Sequence, residues 1–132
     1  MTLRVIVDTN FLFIPLEFKI DIFEELSTLI SERIEPVLLS TNYDELKRVA
    51  EKAPPKLRKQ TVLALRLSER CRVVEVERKE GETNDDVILR VAESWKSPVA
   101  TNDRELRKKL RVRNLSVVFL RGKKRLELEG VV

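Results

Sequence analysis

The sequence predicts an α/β domain: a doubly wound, open parallel sheet of about five strands with helices on both faces. Three observations predict it. Short apolar runs recur along the 132 residues, and most of them stop at a polar cluster. Between them lie segments whose apolar side chains return every three or four residues, the period of a helix that packs by one face. The two kinds of segment alternate at lengths that β-α-β crossovers need, the pattern of a parallel sheet covered on both sides. The length suits a single domain over residues 1–132.

The elements follow in order. Leu3 to Val7 is a continuous apolar run that stops at Asp8-Thr9-Asn10 and reads as a buried strand. Phe11, Phe13, Phe18 and Phe23 cluster after it as core or as a dimer face. Ile22, Phe23, Leu26, Leu29 and Ile30 set a helix over about 20–32, and Pro36 to Leu39 a second strand. Ser40-Thr41-Asn42 reads as a cluster of N-cap residues before a helix over 43–52, which Pro54-Pro55 breaks. Residues 56–70 form a third helix, and Arg72 to Val76 alternates as a strand. The polar stretch 77–83, with Gly81, is expected to be mobile and to gate whatever lies beside it. Asn84-Asp85 caps a helix through Trp95, Pro98 to Ala100 is a very short strand, and Asn102 opens a basic helix to about Arg113. Leu115 to Leu120 is the last clear strand, and 122–132 an edge strand or a tail.

Composition removes whole classes of chemistry. With no histidine, Ser-His-Asp and Cys-His catalysis and His-containing zinc sites are excluded. The single cysteine, Cys71, forms no internal disulfide and reads as a small buried hydrophobe in a reducing compartment. Three glycines build neither a P-loop nor a dinucleotide-binding turn. No uncharged stretch is long enough to span a membrane and the N-terminus is not a signal peptide, so a cytoplasmic protein is expected. What remains is chemistry on carboxylates, hydroxyls, Lys and Arg, with or without a metal.

The sixteen glutamates supply helix-face charge, but the six aspartates fall in a pattern. Asp8 ends the first strand, Asp44 stands beside Glu45 after the second, Asp85-Asp86 open a helix, and Asp103 follows the Pro98–Ala100 strand. In an open parallel sheet the carboxyl ends of the strands meet at one crevice. Asp8, Asp44 or Glu45, Asp85 or Asp86, and Asp103 therefore reach one rim. Carboxylates so close repel one another unless hard cations neutralise them, and an all-oxygen set selects Mg²⁺ or Mn²⁺. Any one of these residues taken singly is explained as a helix cap, except Asp8, which no long helix follows.

Four stretches resemble the four motifs of PIN-domain nucleases, in that family's order and spacing: Val5 to Asn10, Ser40 to Leu46, Asn84 to Ala92 and Val99 to Leu106. The resemblance covers nearly the whole chain. It implies metal-dependent hydrolysis of RNA phosphodiester bonds, with one or two Mg²⁺ or Mn²⁺ ions held by Asp8, Glu45, Asp85 and Asp103. It places Thr9, Asn10, Thr101, Asn102 and Asp86 as their supports. Asp44 and Asp86 are the neighbours that could exchange places with Glu45 and Asp85. Val117 to Arg121 and the Lys-Lys-Arg tail are similar to archaeal proteins related to the small-subunit ribosomal RNA processing endonuclease, and less to the VapC toxins. The family also allows a homodimer and a ribosome-assembly or antitoxin protein as partner.

An acidic cleft repels a polyanion, so basic residues must hold the substrate. Between Arg104 and Arg125 the chain carries ten cations and one acid, Glu105. Arg104, Arg107, Lys108, Arg111, Lys123 and Lys124 are the expected RNA contacts, because a merely solvated face mixes both signs. Tyr43 and Trp95 could stack on bases, but Trp95 reads as core or interface. A receiver-type signalling domain needs an acidic pair after its first strand, and a dehalogenase-type phosphatase Asp-x-Asp. Asp8-Thr9-Asn10 offers neither. The remaining rivals are a catalytically silent PIN module that binds RNA or assembles with protein, and a toxin held by an antitoxin.

Overall fold

The computed structural model describes residues 2–132. Strand β1 (Thr2–Val7) is followed by a 3-10 turn (Thr9–Phe13), α1 (Ile14–Phe18) and α2 (Ile22–Leu29). Then come β2 (Arg33–Leu39), α3 (Ser40–Lys52), α4 (Pro55–Ser68) and β3 (Arg72–Val74). The second half holds α5 (Asn84–Trp95), β4 (Val99–Ala100), α6 (Arg104–Val112), β5 (Val117–Arg121) and β6 (Arg125–Glu129).

The six strands lie in the order β3-β2-β1-β4-β5-β6. The first five pair in parallel, and β6 closes one edge antiparallel to β5. The expected parallel sheet is present, and the tail supplies the additional edge strand. Gly122 and Lys123, both at positive φ, turn the chain between β5 and β6. This left-handed pair suits a tight hairpin between twisted strands.

Strand alternation divides the core into two layers. Val5, Val7, Leu38, Ala100 and Val118 pack with Phe11, Ile22, Phe23 and Leu26, with Leu46 of α3 and with Ala64 of α4. Ile6, Val37, Leu39, Val99 and Val117 turn the other way, onto α5 and α6. Both faces are covered, as the uninterrupted apolar runs require. The phenylalanine cluster belongs to the first layer, and so does Cys71, which is buried there. Trp95 packs against the second layer with Arg4 stacked on its ring. Among the described residues no helix is long and apolar enough to cross a membrane.

Chain order reverses at the junction of β1 and β4, since the crossovers run outward from β1 in one direction and from β4 in the other. A crevice opens there at the strand ends. Asp8 leaves β1 and Thr101 leaves β4 at this point, just past the bond that Asp8 N donates to Ala100 O at 2.9 Å.

Several helix starts differ from the sequence reading. Ser40, Thr41 and Asn42 lie inside the first turn of α3, and Leu39 precedes it without a side-chain cap. Ser40 is used across the chain, its hydroxyl meeting both N and O of Val76. Thr83, not Asn84, caps α5, in a reciprocal box with Asp86. Asp103, not Asn102, caps α6. Asp8 caps the short 3-10 turn through Thr9 N. In each case a polar run offered several capping residues in succession, and tertiary contacts chose among them.

Candidate active site

A cavity of about 360 Å³ opens at the β1/β4 crevice, and Asp8, Glu45, Asp85 and Asp103 all line it. Four segments far apart in sequence therefore meet as expected. Asp44 does not line the cavity; it is exposed and pairs with Lys47 at 3.6 Å. Asp86 does not line it either, being spent on the α5 cap, so its expected role as a support of the acidic set is corrected to helix capping.

Asp8 is the most buried of the four, at 6% exposure. Its Oδ1 accepts from Thr9 N at 2.8 Å. Its Oδ2 accepts from Asn10 Nδ2 at 3.1 Å and from the Thr101 hydroxyl at 2.7 Å. Thr101 Oγ1 in turn accepts from Asp103 N at 3.0 Å, so one buried hydroxyl links the ends of β1 and the start of α6. Asp103 Oδ1 is held by Glu105 N and Leu106 N. These bonds fix two carboxylates from opposite sides of the crevice.

Glu45 is exposed on α3 and is held by Asn84 Nδ2, while Arg78 donates to the Oδ1 of Asn84. Asn42 is buried and donates to Thr9 Oγ1 at 3.0 Å. Its own Oδ1, in the wall of the cavity, has no hydrogen-bond partner among the described residues. Asn42, Arg78 and Asn84 are thus part of the site, which the sequence reading took for cap and loop residues. Only the tertiary fold shows that their side chains bond across elements.

Electrostatics bear the mark of crowded like charge. Burial raises the Asp8 carboxyl above its ordinary range against its hydrogen bonds to Thr101 and Thr9, with Asp103 and Glu45 adding to the rise. Burial, with Asp8 and Asp103 beside it, pushes Asp85 up to about 6. Asp103 adds to the rise of Asp85 both by its charge and as an acceptor for a proton carried on Asp85.

This donor set fits a hard divalent ion. All its candidate donor atoms are oxygens, Asn42 adds a buried unpaired acceptor, and a cation would offset the burial and the added repulsion that lift Asp8 and Asp85. The cavity is an open one. Among the described residues no three acid or cysteine side chains stand close enough to hold one ion together, so a bound ion would require the carboxylates to move inward. The half-exposed Asp85 and exposed Glu45 have the freedom to move.

The loop expected to be mobile, residues 77–83, is tied down. Arg90 meets Glu82 at 2.9 Å and donates to Glu77 O at 2.6 Å, while Lys79 N bonds Glu82 at 2.7 Å. The Arg90 guanidinium holds the Glu82 carboxyl down to about 2.

Of the expected RNA contacts, Arg104, Arg107 and Lys123 line one groove with Arg121 and Asn102. Lys108 and Lys124 are exposed but do not line it. Arg111 is a correction. Half-buried, it meets Glu129 at 3.4 Å and donates to Leu115 O at 3.1 Å, so it fastens β6 to the body of the protein. Asn102 is also placed differently from expectation. Its amide N donates to Asn10 Oδ1 at 3.2 Å, but its side-chain Oδ1 accepts from Leu120 N at 2.9 Å, facing the groove.

A family model described as a PIN like domain matches residues 5–123. The chain belongs to the PIN-domain family. Across the PIN fold it is similar to Ribonuclease VapC4 of Methanocaldococcus jannaschii, 29% identical over 129 residues and 98% of each chain. It is similar to the structure of the PIN domain endonuclease Utp24, with a TM-score of 0.80 and 28% identity over 98% of this chain and 92% of that one. A domain of a functionally unknown protein from M. jannaschii shares the PIN fold at TM-score 0.66 and 21% identity, covering 98% of both chains. VapBC2 from Rickettsia felis, bound to a DNA fragment of its promoter, shares the fold at TM-score 0.60 and 14% identity, over 80% of this chain and 92% of that one.

Proposed function

We propose that this protein is a metal-dependent endoribonuclease whose centre is formed by Asp8, Glu45, Asp85 and Asp103. The observation that carries the reading is their convergence, from four separate segments, on one cavity at the topological switch of a PIN-domain sheet. The relatives support it, one being a ribonuclease and another an endonuclease.

The four carboxylates would hold one or two Mg²⁺ or Mn²⁺ ions. A divalent ion bound there supplies an acidified water and charge neutralisation at the phosphate. The protein's own groups do the rest. Thr101 and Thr9 orient Asp8, Asn84 orients Glu45, and the α6 backbone holds Asp103. Asp85 carries or releases a proton near neutral pH according to the charge beside it. No histidine exists to act as base, so activation of the water rests on the carboxylates and the ion.

The test is cleavage of end-labelled structured and single-stranded RNAs with Mn²⁺, Mg²⁺ or EDTA, beside Asp8→Asn. Cutting that requires metal and falls by at least about a hundredfold in Asp8→Asn is expected, the loss typical of a disturbed electrostatic centre. Equal RNA binding by both proteins with no cutting by either would sink the reading. It would favour the silent RNA-binding module, to which the open spacing of the acids gives some weight.

Two settings fit the chemistry. The similarity of residues 117–130 to archaeal ribosomal RNA processing proteins favours RNA maturation in the cytoplasm, with ribosome-assembly proteins as partners. The VapC4 relative favours a toxin held by an antitoxin. A small antitoxin gene beside this one separates them.

A further inference from the structure

Two grooves adjoin the acidic cavity, and their charges differ in sign. The first, of about 600 Å³, runs between the end of α1, the start of α6 and the β5–β6 hairpin. Four cations line it, Arg104, Arg107, Arg121 and Lys123, against one acid, Glu17. The second, of about 590 Å³, runs beside α3 and the end of β3. Asp44, Glu45 and Glu75 line it against Arg48 and Arg78.

The acidic groove is continuous with the cavity, and the basic groove abuts it along the chain at residues 102–104. Asp103 lines the cavity, while its neighbours Asn102 and Arg104 line the basic groove. Asn102 bridges the two, its amide N on Asn10 and its side-chain oxygen on Leu120 N. That second bond commits Oδ1 to the backbone and leaves Nδ2 as the end available to a phosphate. On the other side, Glu45 and Asn84 line both the cavity and the acidic groove.

Not every cation is free. Arg121 pairs with Glu127 at 3.0 Å and Arg107 stacks on the Phe119 ring. Arg104 and Lys123 have no carboxylate partner among the described residues, since none of the ion pairs includes them. A polyanion therefore gains on the basic side of the cavity and finds no net attraction on the other, where Arg48 and Arg78 are offset by Asp44 and Glu75 even with Glu45 assigned to the ion.

We infer that the enzyme grips the RNA backbone on one flank of the scissile bond only, through the Asn102–Arg104–Lys123 groove. This rests on the nuclease reading and adds direction to it. Phosphates on the gripped flank set affinity, and nucleotides beyond the cavity on the other flank add little. The product from the gripped flank leaves more slowly than its counterpart.

The test has two arms. In EDTA, binding of fluorescent single-stranded RNA is followed by anisotropy against salt for wild type, Arg104→Ala/Lys123→Ala and Arg113→Ala. Arg113 pairs with Glu93 and lines neither groove, so it controls for the loss of a positive charge elsewhere on the surface. The double variant should bind about tenfold more weakly, its log–log salt slope shallower by about 1.4, at ~0.7 for each lost single-strand phosphate contact. Arg113→Ala should match wild type, and unchanged melting temperatures exclude misfolding. In the second arm, wild type cleaves RNAs shortened on the 5′ or the 3′ side of the cut. KM should rise on trimming one side and stay level on trimming the other.

Equal sensitivity on both sides, or a double variant that binds as wild type does, overturns the one-sided grip while cleavage itself stands. If wild type cuts nothing with any metal, the nuclease reading fails, and the anisotropy arm still decides whether the groove binds RNA.

Discussion

At the scale of the residue, the site stores unfavourable charge. Asp85 illustrates the sign. Its pKa rises from 3.8 to about 6 on folding, so between these values the native state holds a proton that the unfolded chain has lost. Stability without metal therefore falls as pH climbs through that window, and the penalty is complete above about pH 6. Asp85→Asn removes the charge and can still bond to Asp103. In EDTA at pH 7 it should raise stability by about 1 kcal/mol, the full shift being discounted because the group is partly exposed. It should abolish cleavage at the same time. Denaturant titration at pH 7 and pH 4 checks this, since the gain should shrink at the lower pH. A variant less stable than wild type at both pH values would mean that Asp85 is a structural cap and not a strained ligand.

At the scale of the element, β6 and α6 show how a charged residue can be misread. From sequence, Arg111 is one of ten like charges between Arg104 and Arg125 and counts as an RNA contact. In the fold it lies under the chain end, close to Gly130, whose φ of 102° brings the backbone past it. A side chain at 130 would collide with the Arg111 guanidinium, at 2.3 Å from Nη1, and approach Ser116 Cα at 3.1 Å. Arg111→Ala should thus cost about 1–2 kcal/mol through the lost charged hydrogen bonds and lower the melting temperature by about 4–7 °C. RNA affinity should change little once stability is allowed for. Thermal melting and anisotropy together check this, and a large affinity loss without destabilisation would return Arg111 to the substrate surface.

The same scale shows what was legible in the sequence. The strands were, because short, mostly apolar runs such as Leu3 to Val7 and Leu115 to Leu120, each broken by a single polar residue, have few alternatives once a helix period is ruled out. The short segment 9–18 was not assigned to elements. Its turns are held by Phe11, Leu12 and Ile14 packing into the core, a tertiary cause with no period of its own. Cap positions failed for a related reason, since Ser40-Thr41-Asn42 and Thr83-Asn84-Asp85 each offer several suitable side chains. The four acidic segments were legible because strand ends in a parallel sheet converge, while the choice of Glu45 over Asp44 and of Asp85 over Asp86 came from the resemblance to the PIN motifs. Asn42, Asn84 and Arg78 escaped because their roles depend on side chains crossing between elements.

At the scale of the whole molecule, a net charge of +4 conceals a division of labour. The acids gather at the crevice where strand order reverses, and the densest run of cations follows it in α6 and the β5–β6 hairpin. The sheet makes this arrangement possible by bringing β1 and β4, 93 residues apart at the Asp8–Thr101 bond, into contact. The central claim is that the four acids act as one ion-binding centre, and calorimetric titration with Mn²⁺ tests it most directly. Wild type should bind one or two ions saturably, with a melting temperature that rises with Mn²⁺. Asp8→Asn should lose at least about tenfold in affinity. Mn²⁺ binding that Asp8→Asn leaves unchanged, or none at millimolar ion, would contradict the claim.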